Sequence, residues 1–234
     1  MKTWTGYKGW SKHQHFGLRK EWLDLWLERP IDWEKKGALG NRQVESLKVW
    51  LRTTGLVDRQ GLETPLALVF RERGSSWLEG WQILWVNTVF SFPTARWYVS
   101  TFHHGKWKIK DLQHALQEIL PHHSPRTVYN SLLELVGLLE RTPIGKDLGQ
   151  GEVLREKGRT GRTVTRKGLH YPSWAAIKRA LQLLKKETSS DLIPFDDSLL
   201  LPWKIFASDR QYVMGEIAMS GETKIENKAI GLLF

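Results

Sequence analysis

Cysteine is absent from this sequence of 234 residues. Its absence excludes disulfide bonds, thiolate nucleophiles, cysteine-ligated zinc sites and persulfide carriage on this chain. Long apolar runs are also missing, because no stretch reaches the roughly 20 residues that a membrane span needs. Residues 1–16 contain no apolar segment typical of a signal peptide. We therefore expect a protein without a membrane partner.

Basic residues outnumber acidic ones, 35 to 25, and the formal net charge is +10. Counting Lys and Arg against Asp and Glu gives 18 against 12 in residues 1–120, 13 against 6 in residues 121–188 and 4 against 7 in residues 189–234. The excess is greatest in the middle segment. Concentrated positive charge is typical of a surface that attracts a polyanion through long-range electrostatics.

One stretch, residues 110–167, combines helix spacing, caps and charge in a single motif. Residues 110–119 have Leu112, Leu116 and Ile119 at helical spacing, and a break follows at residues 121–123. A second helix is predicted from Ser124, a good N-cap, with Pro125 in the first helical position. Its buried stripe would be Val128, Leu132, Leu135 and Leu139. Its outward side chains, Arg126, Thr127, Asn130 and Ser131, are of the types that contact phosphates and base edges in a major groove.

A basic, glycine-punctuated segment follows this helix. Residues 155–167 read REKGRTGRTVTRK and contain six basic residues against one acidic residue. The pattern is typical of a β-hairpin wing that meets phosphate. The alternative is an ordinary solvated loop. Because the segment directly follows a helix-turn-helix pattern, we favour nucleic-acid contact.

A second, looser copy of this pattern precedes the motif. Residues 18–28 predict a helix that Pro30 ends, and residues 41–54 predict another, with Asn41 as its N-cap and Gly55 as its left-handed C-terminal residue. Arg42, Gln43 and Lys48 would face outward, and residues 58–63 would form a short wing. The repeat is one interpretation, since any two well-capped amphipathic helices look alike to this degree.

The predicted fold is mainly α, with tandem winged helix-turn-helix-like units joined by a Trp-rich helical hub and with small β-hairpin wings. Most of the 13 tryptophans lie among Leu and Val at helical spacing, which indicates core or groove lining. We predict four regions. They are an N-terminal helix-turn-helix-like unit at 1–63, the hub at 64–108, a winged helix-turn-helix at 109–170 and a C-terminal helical region at 171–234.

Candidate catalytic groups are few. Metal-dependent nucleases use clusters of Asp and Glu, and the nearest candidates, Asp196-Asp197 and the surroundings of Glu72 and Glu79, are better explained as solvated pairs. Tyr129 is a conceivable covalent nucleophile, although a tyrosine at the edge of a DNA-facing helix is commoner. We assign neither a catalytic residue nor a metal ligand. The histidine pairs that could act as acid–base groups or ligands are His13 with His15, His103 with His104 and His122 with His123.

The opening of the chain resembles a bacterial domain-of-unknown-function family that is encoded beside DNA phosphorothioation genes. The resemblance rests on the run from His13 to Arg19, on Trp22-Leu23 and on the segment LGNRQVESLKVWLRTTGLV from Leu39, and it extends to about Lys167. The second histidine of the opening run and the glycine before Leu18 depart from the family pattern. The best-described member of the family is a DNA nicking protein of a phage-defence system.

The resemblance implies that this chain binds double-stranded DNA and nicks one strand, with a divalent ion such as Mg or Mn as a possible cofactor. It implies two protein partners, an ATPase and a sulfur-transfer protein like phosphoadenosine-phosphosulfate reductase. The absence of cysteine agrees with sulfur chemistry on another polypeptide. It also implies a cytoplasmic, nucleoid-associated location.

Two further interpretations stay open. One is a non-catalytic winged-helix DNA-binding regulator or assembly factor, and the other is a helical scaffold that binds proteins through a Trp-rich face. For DNA contact the predicted side chains are Arg42, Gln43, Arg126, Thr127, Asn130, Arg155, Lys157, Arg159, Arg162, Arg166 and Lys167.

Overall fold

A computed structural model describes residues 4, 6–29, 32–34, 38–155, 161–226 and 228–234. Within these ranges the chain is mainly helical, with two small antiparallel sheets. The helices are α1 (Lys20–Glu28), α2 (Asn41–Thr54), α3 (Pro65–Arg73), α4 (Leu78–Ser91), α5 (Pro93–Thr101), α6 (Ile109–Ile119), α7 (Pro125–Arg141), α8 (Trp174–Thr188), α9 (Pro202–Phe206) and α10 (Arg210–Met219). None of the helices among the described residues is long and apolar enough to cross a bilayer.

Six short strands form the two sheets. The first sheet consists of β1 (Gly105–Lys108), β2 (Glu152–Arg155) and β3 (Arg162–Arg166) in the order β1-β3-β2. The second consists of β4 (Leu192–Pro194), β5 (Thr223–Glu226) and β6 (Ala229–Leu232) in the order β4-β6-β5. All neighbouring strands are antiparallel. The first sheet therefore joins a strand that precedes α6 to a hairpin that follows α7.

The large hydrophobic core runs from Trp10 to Phe206 and takes in residues from all three regions predicted within 1–170. Its centre is the predicted hub, α4 and α5, where Trp81, Trp85 and Trp97 are buried. Helices that are apolar on all sides require burial on all sides, and α4 contacts α2, α5 and α8. The tryptophans of the hub thus pack as core, as their spacing predicts.

The C-terminal segment adds a second hydrophobic cluster. Ile177, Leu181 and Leu184 of α8 are buried, as predicted, against Ile193, Val213 and Ile230. Ser173 caps α8 by accepting a hydrogen bond from the amide of Ala176. The region predicted as helical also contains the second sheet, because strands of three or four residues leave little periodicity to detect.

Two local details of the sequence interpretation need correction. The N-cap of α2 is Gly40, and Asn41 is its first helical residue. Gly55 does end α2 in the left-handed region, with φ 76°. In the repeat, Gly137 follows the Leu-rich part of the second helix as Gly55 follows that of the first, and it was expected to end the helix. It lies inside α7 instead, and the arm formed by residues 10–18 crosses the helix there. A Cβ added to Gly17 would lie 2.0 Å from a backbone nitrogen of α7, so the repeat does not extend to the ends of the two helices.

Candidate nucleic-acid interface

Helix α7 begins as its sequence predicts. The hydroxyl of Ser124 accepts a hydrogen bond from the amide of Thr127, and Pro125 occupies the first turn, where its missing N–H leaves no hydrogen bond unmade. Four of the buried residues form the stripe predicted from their spacing, and α7 packs through them into the large core. These four are Val128, Leu132, Leu135 and Leu139.

The N-terminal half of α7 presents its opposite side to solvent. Arg126 and Tyr129 are exposed, and Thr127 and Asn130 are half-buried. Ser131 was expected to face outward, but it is buried and donates a hydrogen bond to the carbonyl of Val128. The exposed side of α7 therefore carries a cation and an amide within the first two turns, where a helix meets an anion most favourably.

The C-terminal half of α7 is tied to the arm at residues 10–18 through the buried carboxylate of Glu134. It accepts hydrogen bonds from the backbone amides of Lys12, His13 and His15 at 3.0–3.2 Å, and from the hydroxyl of Ser11 at 3.0 Å. His13 adds its ring Nδ1 at 2.9 Å. The arm thereby leaves the first half of α7 as the part that a ligand can reach.

His13 also connects α7 to α2. Its ring stacks on Trp50 at 3.7 Å, and its Nε2 lies 3.0 Å from the hydroxyl of Thr53. Burial lowers the pKa of His13 to about 4 despite the opposing effect of Glu134. The imidazole is therefore neutral at pH 7, with Nδ1–H donating to Glu134. This group is a structural link between the two predicted reading units and has no exposed surface for a ligand.

Two of the predicted arginines lie where β2 ends and β3 begins, beside the last turns of α7. Arg155 and Arg162 face each other across the two strands. Their guanidinium groups lie 3.3 Å and 3.1 Å from the carboxylate of Glu140. Two positive charges share one negative charge, so the cluster keeps a net positive charge. Glu140 is 14 residues from Arg126, or about 21 Å along the helix axis, and the arm crosses α7 between them at Gly137.

Arg166 does not belong to this surface. Its side chain is buried, and its guanidinium group donates to Gln150 Oε1 and to the backbone carbonyls of Phe102, Lys204 and Ile205. Burial lowers its pKa to about 10, so it stays charged at pH 7. Its predicted contact with DNA is wrong, because Arg166 points to the same side of β3 as the core residue Val164 and its donors are already taken.

Of the three other residues predicted in the wing, the structure describes Lys167. Lys167 is exposed and lies 3.1 Å from the carboxylate of Glu152. Lys157 and Arg159 fall outside the residues that the structure describes, so their role stays a prediction.

In the N-terminal unit, Arg42 is exposed at the start of α2. The side-chain oxygen of Gln43 accepts a hydrogen bond from the amide of Gly40 at 3.0 Å. Gln43 thus caps its own helix, and its side-chain oxygen is occupied instead of being available to a DNA base. The predicted wing at 58–63 is a single antiparallel bridge between Val57 and Glu63.

Three lysines that the structure shows to be exposed were not among the predicted DNA-binding residues. Lys106 and Lys108 alternate with Trp107 along β1, and Lys110 follows in the first turn of α6. Among the described residues, no carboxylate forms an ion pair with any of the three. The alternation of Lys, Trp and Lys in residues 106–108 is a period of two, and it could have indicated a strand with one basic face.

The candidate acid–base and metal groups do not converge. In the described part of the chain, no three or more His, Asp or Glu side chains come together in a way that could hold a metal ion. His122 and His123 are exposed in the turn before α7. Burial, followed by the nearby charge of Arg166, lowers the pKa of His103. His103 and Asp197 instead line a cleft of about 860 Å³ together with Lys204.

Comparison with known proteins identifies similar structures. No family model matches the sequence, and no curated protein matches it. A crystal structure of magnesium-ion-bound SspB is similar, with a TM-score of 0.61, 15% identity and coverage of 94% of this chain and 82% of the SspB chain. A second SspB crystal structure gives a TM-score of 0.59 and 14% identity over the same shares. The chain thus shares the fold of SspB, which agrees with the resemblance noted in its sequence.

Proposed function

We propose that this chain is a DNA-binding protein of a DNA phosphorothioation and phage-defence system. In this proposal α5, β1, α6, α7, β2 and β3 form a winged helix-turn-helix unit that binds double-stranded DNA. The first half of α7 enters the major groove, and the β2–β3 hairpin contacts the phosphate backbone.

The observation that carries this proposal is the arrangement around α7. A strand before α6 pairs with a hairpin after α7, and the sheet order β1-β3-β2 is the one that a winged helix requires. Arg126 lies on the exposed first half of α7, and the Arg155–Arg162 cluster lies beside its last turns, beyond the point where the arm crosses the helix. The guanidinium group of arginine is planar and carries several N–H donors, so it suits bidentate contacts with phosphates and guanine edges.

Within this surface we assign different tasks to the side chains. Arg126, Thr127 and Asn130 would reach base edges from the first two turns of α7. The hairpin residues Arg155 and Arg162 would bind phosphates, with Lys157 and Arg159 as further phosphate contacts, and Lys167 would contact a phosphate from the other face of β3. Arg42 and Gln43 of α2 would form a second, smaller contact, for which the exposed guanidinium group of Arg42 is the main support.

We further propose that the protein nicks one strand of the bound duplex, so that partner proteins can install sulfur. The support is the fold shared with SspB together with the motif resemblance in residues 13–57. The partners would be an ATPase and a sulfur-transfer protein similar to phosphoadenosine-phosphosulfate reductase. A cytoplasmic, nucleoid-associated location follows from this assignment.

The SspB structure bound to magnesium raises the question of a metal ion in this chain. The described residues do not fit such a site, because they bring together no group of ligands that could hold it. We therefore assign no step of the reaction to a metal ion held by them. Magnesium and manganese enter the proposal as additions to be tested in the assay.

A non-catalytic regulator or assembly factor is the second candidate. Among the described residues, the carboxylate of Glu140 beside the last turns of α7 is already paired with Arg155 and Arg162. In this second candidate the surface would bind DNA without cutting it.

One assay separates the two candidates. Purified protein is incubated with supercoiled plasmid, with and without magnesium or manganese. Conversion to open circles supports the nicking protein. Stable DNA binding without open circles contradicts nicking and supports the second candidate.

A further inference from the structure

The first sheet has a side that faces away from α7. The register pairs Trp107 and Val153 with the buried Val164, so this row lies on the core side. The neighbouring rows, Lys108–Thr163–Leu154 and Lys106–Thr165–Glu152, point to the opposite side, which we call the outer face. Lys167 continues β3 with the same parity and belongs to the same face.

Positive charge is concentrated on the outer face. Lys106 and Lys108 are exposed and form no ion pair with a described carboxylate, and Lys167 shares its charge with Glu152. Three lysines therefore stand against one carboxylate. Lys106 and Lys108 are two residues apart on one strand, which separates their Cα atoms by about 6.6 Å. Lysines in a regular row suit the successive phosphates of a nucleic-acid backbone better than they suit a single ion.

An aromatic side chain lies at the end of this row. Tyr171 is 72% exposed, and its ring has an edge-on contact with Tyr212 at 5.0 Å and a tilted contact with His170 at 6.2 Å. It lies four residues beyond Lys167, so the two Cα atoms are at most about 14 Å apart. Gly168, between them, packs against the backbone of Ala207, where an added Cβ would lie 2.1 Å from the carbonyl oxygen, and against His104, just before β1, at 3.0 Å. The segment thus leaves the sheet beside β1, next to the lysine row.

We propose that the outer face and Tyr171 bind an unpaired DNA strand. Lys106, Lys108 and Lys167 would contact successive phosphates, and a base would stack on the free face of Tyr171. The ligand is a single strand because the bases of a duplex stack on one another and leave no face for the phenol ring. The proposal rests on the proposed function, since opening or nicking one strand supplies the unpaired nucleotides.

The test is fluorescence anisotropy at several salt concentrations with two probes. One is a single-stranded oligonucleotide of about 12 nucleotides, within the range of known single-strand sites, and the other is a hairpin duplex of the same sequence. Tyr171→Ala is compared with Tyr171→Phe, and the pair Lys106→Ala with Lys108→Ala is compared with the pair Lys186→Ala with Lys224→Ala. The last pair removes two exposed lysines from α8 and β5.

For the single strand, Tyr171→Ala is expected to weaken binding about 5- to 150-fold, which corresponds to the loss of one stacked base. Tyr171→Phe should retain binding to within about two-fold, because the ring is kept. Loss of Lys106 and Lys108 should lower the slope of log K against log salt by about 1.4, or 0.7 for each phosphate contact. The Lys186 and Lys224 control should leave the slope unchanged, and duplex affinity should be unaffected by Tyr171→Ala.

Unchanged single-strand binding in the Tyr171 and lysine variants would overturn the proposal while duplex binding by the protein still stands. Equal losses for single strand and duplex in Tyr171→Ala would also overturn it. If the wild-type protein binds the single strand and not the duplex, the proposed function fails, and the variants still decide this inference. If it binds neither probe at low salt, both fail.

Discussion

The buried link between His13 and Glu134 makes the stability of the protein depend on pH. The pKa of His13 is lowered from 6.5 to about 4 in the folded protein by burial. The unfolded chain therefore takes up a proton at pH values where the folded protein does not. The stability that the neutral imidazole provides is complete above pH 6.5, and it is lost as the pH falls through 6.5 towards 4.

The size of this effect follows from the two pKa values. Between pH 7.5 and pH 5, the difference in proton uptake lowers the free energy of unfolding by about 2 kcal/mol. The measurement is urea unfolding at both pH values. In His13→Gln, which still offers a donor to Glu134 but cannot titrate, the contribution should disappear. His15→Gln is the matched control, because His15 is exposed and only its backbone amide binds Glu134.

A change of stability with pH in the opposite direction would refute this reasoning. If the wild-type protein gains stability relative to His13→Gln as the pH falls from 7.5 to 5, His13 is protonated in the folded state. The attraction of Glu134 would then outweigh the cost of burial. An equal pH dependence in the wild type and in His13→Gln would mean that the link does not titrate in this range.

Three more substitutions test the packing around α7. Leu132→Ala should lower the free energy of unfolding by roughly 2–5 kcal/mol, because the side chain is fully buried; a loss under about 1 kcal/mol in urea unfolding would place it outside the core. Arg166→Met should cost more than about 2 kcal/mol by leaving Gln150 Oε1 and the carbonyl of Phe102 without the donor they have in the folded protein, whereas the exposed Arg155→Ala should cost less than about 1 kcal/mol; equal losses would contradict the structural role of Arg166. Gly17→Ala should cost about 1–3 kcal/mol through its clash with the backbone of α7, while Gly215→Ala, whose new methyl group meets nothing within 4 Å, should raise the melting temperature slightly.

Local signals account for the parts of the fold that the sequence predicts well. The start of α7 could be read from Ser124 and Pro125, and its inner face from the spacing of Val128 and Leu132, because caps and amphipathic stripes act within a few residues. The hub could also be recognised from local sequence, because helices that are apolar on every side must be buried on every side.

Signals that depend on distant residues are missing from the sequence pattern. The carboxylate of Glu134 binds an arm more than 115 residues away in the sequence, and no periodic pattern of residues predicts such a contact. Arg166 looked like one more cation in a basic run. Arg166 is buried because it points to the same side of β3 as Val164. This side can be assigned only when the boundaries of the strand are known. The second sheet was missed because its strands have three or four residues.

The central claim, that the exposed side of α7 and the adjacent hairpin bind duplex DNA, is tested most directly by the salt dependence of binding to a hairpin duplex. Replacing Arg126, Arg155 and Arg162 together by alanine should lower the slope of log K against log salt by about 2.7, or 0.9 for each lost contact. The Lys186→Ala, Lys224→Ala control should keep the wild-type slope. A triple variant with unchanged slope and affinity would contradict the claim and place the DNA site elsewhere on the protein.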